Sequence, residues 1–251
     1  MSRFINPRNL LGRLRGEALK NARTEIAQLY SRQNRLHPYL QEAFVLLNLG
    51  RIKDFVGEAV ESHPLRGKFT LNGSDKEDRH SYGEIYESLL ANLEKPRILE
   101  IGLGSLNSYP YAGLPPGGSL RAFREAYPNA QIVGCDIDPD SVEAVQERSF
   151  VLDQTSSESL ESFKSKLEKL QQFDLIIDDG FHDIHANLRT LIHLFPLISP
   201  EGYYVIEDVH ASMLPLWNLF QQYLPGKMTV CDMTNLRTSS DDNIMLIFQR
   251  G

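Results

Sequence analysis

Two short stretches hold most of the residues that could do chemistry. Phe173–His182, FDLIIDDGFH, ends an apolar run with Asp178 and Asp179, a turn glycine and His182. Gly202–His210, GYYVIEDVH, repeats the pattern with Glu207, Asp208 and His210. A short apolar run bounded by turn residues reads as a buried strand. In an open α/β sheet the crevice beyond the strand ends is where ligands bind. Carboxylates gathered at neighbouring strand ends raise one another's pKa, and a divalent cation relieves that repulsion. Carboxylates and water suit Mg²⁺ or Mn²⁺; with no cysteine nearby, a structural zinc is disfavoured. Such a cation would acidify a substrate hydroxyl, and a neutral His182 would take the proton. The bland use of the same residues is structural: Asp178 and Glu207 bonding loop amides, His182 capping a turn. Two such clusters together favour the site. His185, His193 and His210 read as packing or surface histidines.

A third stretch supplies a second ligand. Ile98–Gly104, ILEIGLG, is an apolar strand running into glycines. Gly102 and Gly104 let backbone amides approach a bound molecule without a Cβ in the way. A dinucleotide fingerprint wants a third glycine, where Asn107 stands. Glu100, just before the first glycine, would repel a pyrophosphate. It would suit an ammonium group, such as that of S-adenosylmethionine. Asp136 closes the next strand, GCDIDP, where an acid can accept hydrogen bonds from ribose hydroxyls. Asp138 reads as the cap of the following helix. Asp153 and Gln154 follow the third strand and can meet an adenine edge. Ser119 opens a helix after Gly117–Gly118, whose amide-rich N-terminus could receive the cofactor carboxylate. Asp178 is assigned to the cofactor side.

The elements that must position these residues alternate regularly. Strands are expected at Arg97–Ile101, Gln131–Asp136, Phe150–Leu152, Asp174–Asp178, Tyr203–Glu207, Met228–Asp232 and Asn243–Phe248. Helices fall between them at Ser119–Tyr127, Ser141–Arg148, Ser157–Leu170, Asn187–Leu194 and Leu214–Tyr223. Alternation implies right-handed βαβ units and a mostly parallel seven-stranded sheet covered on both faces. The last two strands, with no helix between them, fit a hairpin and so an antiparallel edge strand. Residues 1–65 carry helical periodicity and read as a separate helical segment, either packing or oligomerising, or forming a lid. Residues 66–251 form the α/β domain.

The chain has 251 residues and a net charge of −7, which argues mildly against a nucleic-acid partner. Two cysteines, Cys135 and Cys231, make no disulfide framework and fit a reducing, cytoplasmic setting. No apolar run approaches the ~18–20 residues a membrane span needs. The Arg-rich start could be taken for a transit peptide, but it continues into the longer helical pattern.

Taken in order, SDKEDRHSYGEIYE, ILEIGLG, GGSLRAFREAYPNAQIVGCDID, LDQT, FDLIIDDGFH, GYYVIEDVH and DNIMLIF resemble the macrolide sugar O-methyltransferases, the mycinamicin and demethylmacrocin type, over roughly residues 70–248. The resemblance implies a Rossmann-like class I methyltransferase fold, S-adenosylmethionine, Mg²⁺ and a vicinal-diol sugar. It places metal ligands on Asp179, Glu207 and Asp208 and the general base on His182. It makes the segment with Lys76, His80 and Tyr82 one that folds over the cofactor. Phe181 stands where the family usually has serine, and the loop 105–116 departs from the family's glycine turn.

The leading expectation is therefore a metal-dependent O-methyltransferase for a hydroxylated small molecule. Two others compete: a nicotinamide-dependent oxidoreductase, and a non-catalytic binding or assembly protein. The missing third glycine and Glu100 count against the first. Two retained acid clusters count against the second, because burying carboxylates without a purpose costs stability.

Overall fold

The computed structural model describes residues 64–104, 115–168, 172–234 and 241–250. The helical segment expected at 1–65, apart from its last two residues, lies outside these, as do residues 105–114 of the loop that departs from the family's glycine turn. The described elements run α1 (Lys68–Leu71), α2 (Gly83–Leu90), β1 (Arg97–Ile101), α3 (Gly118–Ala126), β2 (Gln131–Asp136), α4 (Pro139–Ala144), β3 (Arg148–Val151), α5 (Ser157–Leu167), β4 (Phe173–Asp178), α6 (Ile184–Leu194), β5 (Ile198–Ile206), α7 (Leu214–Phe220), β6 (Lys227–Asp232) and β7 (Ile244–Gln249).

The seven strands form one sheet in the order β3-β2-β1-β4-β5-β7-β6. Strands β1 to β5 pair in parallel, and β7 pairs antiparallel with both β5 and β6. The last two strands thus make the expected hairpin at the sheet edge, with the antiparallel strand β7 inserted between β5 and β6. The order reverses between β1 and β4, the switch point where a crevice opens past the strand ends. Leu175, Ile176 and Ile177 of β4 and Tyr204, Val205 and Ile206 of β5 are buried throughout. That is the mark of strands covered on both faces.

Several boundaries differ from the sequence reading, most clearly those of α4 and β5. The helix expected at Ser141–Arg148 is α4, which begins at Pro139; Asp138 caps it by accepting from the Asp140 amide at 3.0 Å. Proline's fixed φ suits the first helical position, so the helix starts early. It also stops early, and β3 takes up Arg148. Strand β5 begins at Ile198 rather than Tyr203. The SPEG sequence looks like a turn, but it lies within the strand, where the register with β4 shifts between Phe173 and Leu175. Glu201 there adopts a φ of 62°.

The segment before β1 is tied to the sheet by aromatic packing. Phe69, Tyr86 and Phe123 of α3 are buried together, with centroids 5.3–5.9 Å apart. Such contacts add to the burial of large apolar rings. Within the segment, the Lys76 carbonyl accepts from the amides of Tyr82 and Gly83, at 2.9 and 3.2 Å, closing a tight loop. That loop is thereby held over the ends of β1, β4 and β5. Among the described residues, no helix is long and apolar enough to cross a membrane.

Candidate active site at the ends of β4 and β5

The hydrogen-bond ladder of the sheet continues one residue past the strands. The Asp179 amide donates to the Ile101 carbonyl at 2.9 Å, and the Glu207 amide to the Asp178 carbonyl at 3.0 Å. These bonds fix where the two acid pairs leave the sheet. Beyond them the backbone is strained: His182 and Asp208 both adopt a φ of 53°. Non-glycine residues in the left-handed region carry a conformational cost and gather at functional sites.

Asp179, His182 and Asp208 converge there, each offering one ligand atom, all within 4.8 Å of one another. The His182 Nε2 lies 3.8 Å from Asp179 Oδ1 and 4.0 Å from Asp208 Oδ2. The imidazole is exposed, and the two acids are half-buried. An exposed imidazole between two carboxylates can take a proton and have the resulting charge compensated.

Glu207 points elsewhere. It is buried, accepts from the Lys76 ammonium at 2.5 Å through Oε2, and accepts from the Tyr86 hydroxyl through Oε1. Lys76 is buried as well, and its ammonium also meets Asp179 Oδ2 at 2.6 Å and Glu100 Oε1 at 3.3 Å. Burial opposes charge on this amine, but Asp179, Glu207 and Glu100 around it win, and its pKa is held well above the ordinary lysine range. Burial pushes the Glu207 carboxyl well up, against the pull of Lys76, and repulsion by Asp179 and Asp208 adds to it. Asp208 is raised by burial and by Asp179. Its Oδ1 accepts from the Tyr82 hydroxyl at 2.8 Å. Burial and the neighbouring Asp208 and Glu207 keep that phenol protonated, far above the usual tyrosine range. His80 stacks on Tyr82, centroids 4.8 Å apart, and reaches Asn243 Oδ1 at 3.3 Å.

The cofactor side divides. Gly102 has a φ of 94°, and a Cβ there would lie 2.0 Å from the Asp179 carbonyl oxygen. The glycine therefore lets the β1 turn pass directly against the acid turn. A Cβ on Gly104, φ 76°, would meet nothing within 4 Å. Asp136 accepts from the amides of Leu103 and Asp138 at 2.7 and 2.9 Å, tying the tip of β2 to the glycine turn. Ser119 donates to Glu100 Oε2 at 2.5 Å. Glu100 thus faces an ammonium, as its position suggested, and the structure supplies that ammonium from Lys76.

Three residues the sequence assigns to the cofactor side make hydrogen bonds within the protein. Gln154 donates to Asp178 Oδ1 at 2.7 Å and accepts from the Phe181 amide at 2.9 Å, so both ends of its amide are committed. Asp178 is fully buried and also accepts from the Tyr204 hydroxyl at 3.2 Å. Asp153 accepts from the amide and hydroxyl of Thr155, a local turn. Gln154 and Asp178 together brace the DDGFH turn. His193 and His210 bond to their own helix or cap, at Arg189 and Ser212, as surface histidines do.

A seven-stranded sheet of this order and pairing, with its acids at the switch point, defines the Rossmann-like class I methyltransferase architecture. A sequence profile described as a methyltransferase domain matches residues 117–249, and the chain belongs to that family. Among curated relatives, the mycinamicin VI 2''-O-methyltransferase of Micromonospora griseorubida is 39% identical over 49% of this chain and 29% of its own. The demethylmacrocin O-methyltransferase of Streptomyces fradiae is 38% identical over 49% of this chain and 29% of its own. The rhamnosyl tetracenomycin-C 2'-O-methyltransferase of Streptomyces olivaceus is 34% identical over 60% of this chain and 39% of its own. The chain therefore spans about a third of the length of these relatives. Among solved structures, the MycE methyltransferase of the mycinamycin biosynthetic pathway, in complex with Mg, S-adenosylhomocysteine and mycinamycin VI, is similar with a TM-score of 0.50 and 26% identity, over 67% of this chain and 41% of that one.

Proposed function

We propose that the chain carries the catalytic domain of an S-adenosylmethionine-dependent O-methyltransferase that modifies a hydroxyl of a small molecule, a natural-product sugar by the chemistry of its relatives. The observation that carries the reading is the convergence of Asp179, His182 and Asp208 past two adjacent strands, two of them on strained backbone. Sequence identity to three sugar O-methyltransferases supports the substrate class.

The donor set fits a hard dication: carboxylate oxygens from two neighbouring strand ends, among acids whose pKa values burial and mutual repulsion raise. Asp179 and Asp208 would hold Mg²⁺ or Mn²⁺, with Glu207 as the third ligand through the oxygen that Lys76 engages in this structure. Bound there, the dication supplies orientation of the acceptor oxygens and acidification of the hydroxyl. His182 removes the hydroxyl proton onto Nε2, and Asp179 and Asp208 compensate the charge formed. The oxygen forms its bond to the methyl carbon as the carbon–sulfur bond breaks. Gly102, Gly104 and Asp136 would receive the nucleoside and amino-acid parts of the cofactor, and Ser119 and Glu100 border the same turn. Phe181, half exposed beside the base, offers an apolar wall to the acceptor.

The test is transfer of tritiated methyl from S-adenosylmethionine to mycinamicin VI and to a panel of deoxysugar glycosides. Transfer that EDTA abolishes and Mg²⁺ restores is expected. In His182→Ala, transfer is expected to be lost while S-adenosylhomocysteine still binds by calorimetry. Transfer undiminished in EDTA, or cofactor binding lost with His182, would contradict the assignment.

A further inference from the structure

Lys76 does something the sugar-methylation scheme does not need. Its ammonium is buried between Asp179 Oδ2 at 2.6 Å and Glu207 Oε2 at 2.5 Å. Those two oxygens belong to the acids that would hold a dication. A second observation concerns Glu100. Its Oε1 is buried without a hydrogen-bond partner, and the nearest cation is the same ammonium at 3.3 Å. The other Glu100 oxygen is satisfied by Ser119. Glu100 Oε1 is the least engaged of the three carboxylate oxygens around Lys76, at 3.3 Å against 2.6 Å for Asp179 and 2.5 Å for Glu207.

We propose that Lys76 is a movable counter-cation of the acid cluster: it neutralises Asp179 and Glu207 while no dication is held, and withdraws to Glu100 Oε1 when one enters. The inference rests on the dication reading given above. The geometry supports the motion because the carboxylates outnumber the ammonium. Glu100, Asp179 and Glu207 surround a single lysine, so a cation that leaves one acid finds another beside it. A lysine ammonium is a compact point charge on a flexible stem, with three donors and no fixed fork, and is suited to changing partners. The anchoring of its loop on the Phe69–Tyr86–Phe123 cluster keeps the backbone in place, so only the side chain need move. Lys76 would then compete with the metal for Glu207 and Asp179.

Competition gives a direction that a merely structural lysine does not. Mn²⁺ binding to the full chain is measured by electron paramagnetic resonance at pH 8 for the wild type, Lys76→Met and Lys76→Arg. Removing a positive charge this close to two ligand oxygens should tighten Mn²⁺ by about tenfold or more in Lys76→Met, from the size of a unit-charge interaction at contact distance. Lys76→Arg, which keeps the charge, should stay near the wild type. Equal or weaker binding in Lys76→Met overturns the proposal while leaving a dication site standing. Absence of Mn²⁺ binding in all three removes the dication reading and this inference with it. Should Lys76→Met fail to fold, the wild type decides alone. Its buried lysine ammonium, followed by ¹⁵Nζ resonance, should shift on addition of Mg²⁺, and a resonance that does not move overturns the proposal.

Discussion

Replacing Gly102 by alanine probes the joint between the cofactor turn and the acid turn. Two separate costs arise. Gly102 sits at φ 94°, and an L-residue held in left-handed backbone costs about 1–2 kcal/mol. The new Cβ would also lie 2.0 Å from the Asp179 carbonyl oxygen and 2.6 Å from its carbon, both backbone atoms that cannot rotate away. Forcing volume into such a contact costs about 1–3 kcal/mol more. Gly104→Ala is the internal control: its φ is 76°, but its Cβ would meet nothing within 4 Å. It should incur only the first cost. In urea, with a denaturant slope of about 2 kcal/mol per molar, the two midpoints should differ by about 0.5–1.5 M, Gly102→Ala being lower. Because the clash falls on Asp179, Gly102→Ala should also weaken Mn²⁺ binding, and Gly104→Ala should not. Coincident urea midpoints for the two variants would refute the close approach of these turns.

Tyr86→Phe removes the hydroxyl that donates to the buried Glu207 carboxylate. Loss of a hydrogen bond to a charged group costs about 1.5–3 kcal/mol, so the melting temperature by circular dichroism should fall by about 3–12 °C for a chain of this size. An unchanged melting temperature would mean that Glu207 finds its second donor elsewhere. Asp174 is pulled two ways: burial raises its pKa, but hydrogen bonds from the Arg97 side chain and amide and from Ser199 outweigh this and hold it below the usual aspartate range. A depressed carboxylate contributes stability above its unfolded pKa, and that stability is lost as pH falls through the folded value. Asp174→Asn should therefore be less stable than wild type at pH 7, with the gap closing as pH drops below about 4; a gap that persists at pH 2 would contradict the ion pair's role.

Much of this site could be read from the chain because its parts are local. The strand ends, the DDGFH and IEDVH turns and the glycine turn each lie within ten residues, so periodicity and turn chemistry reveal them. Asp138 announced its capping role by standing before a proline. What could not be read is how the pieces meet. Lys76 reaches Asp179 across 103 positions of sequence and Glu207 across 131, and no local pattern encodes such pairings. Tyr86 was missed altogether, although Tyr82 and Tyr86, four apart on a helical turn, would face the same way. Gln154 is ambiguous for a different reason: an amide after a strand suits an adenine edge and a buried brace equally well, and its bonds to Asp178 and the Phe181 amide could not be read from local sequence. The SPEG stretch of β5 has turn composition, and it forms the irregularity between the two paired parts of the strand: β4 pairs with Ile198 and again from Tyr203, and Glu201 between them takes a φ of 62°.

The most direct measurement is anomalous scattering from manganese in crystals of the chain grown with Mn²⁺ and S-adenosylhomocysteine. The account predicts a single strong peak between Asp179 and Asp208, with the adenosyl group lying across the ends of β1 and β2. A peak elsewhere, or a nucleoside seated away from Gly102 and Asp136, would contradict it.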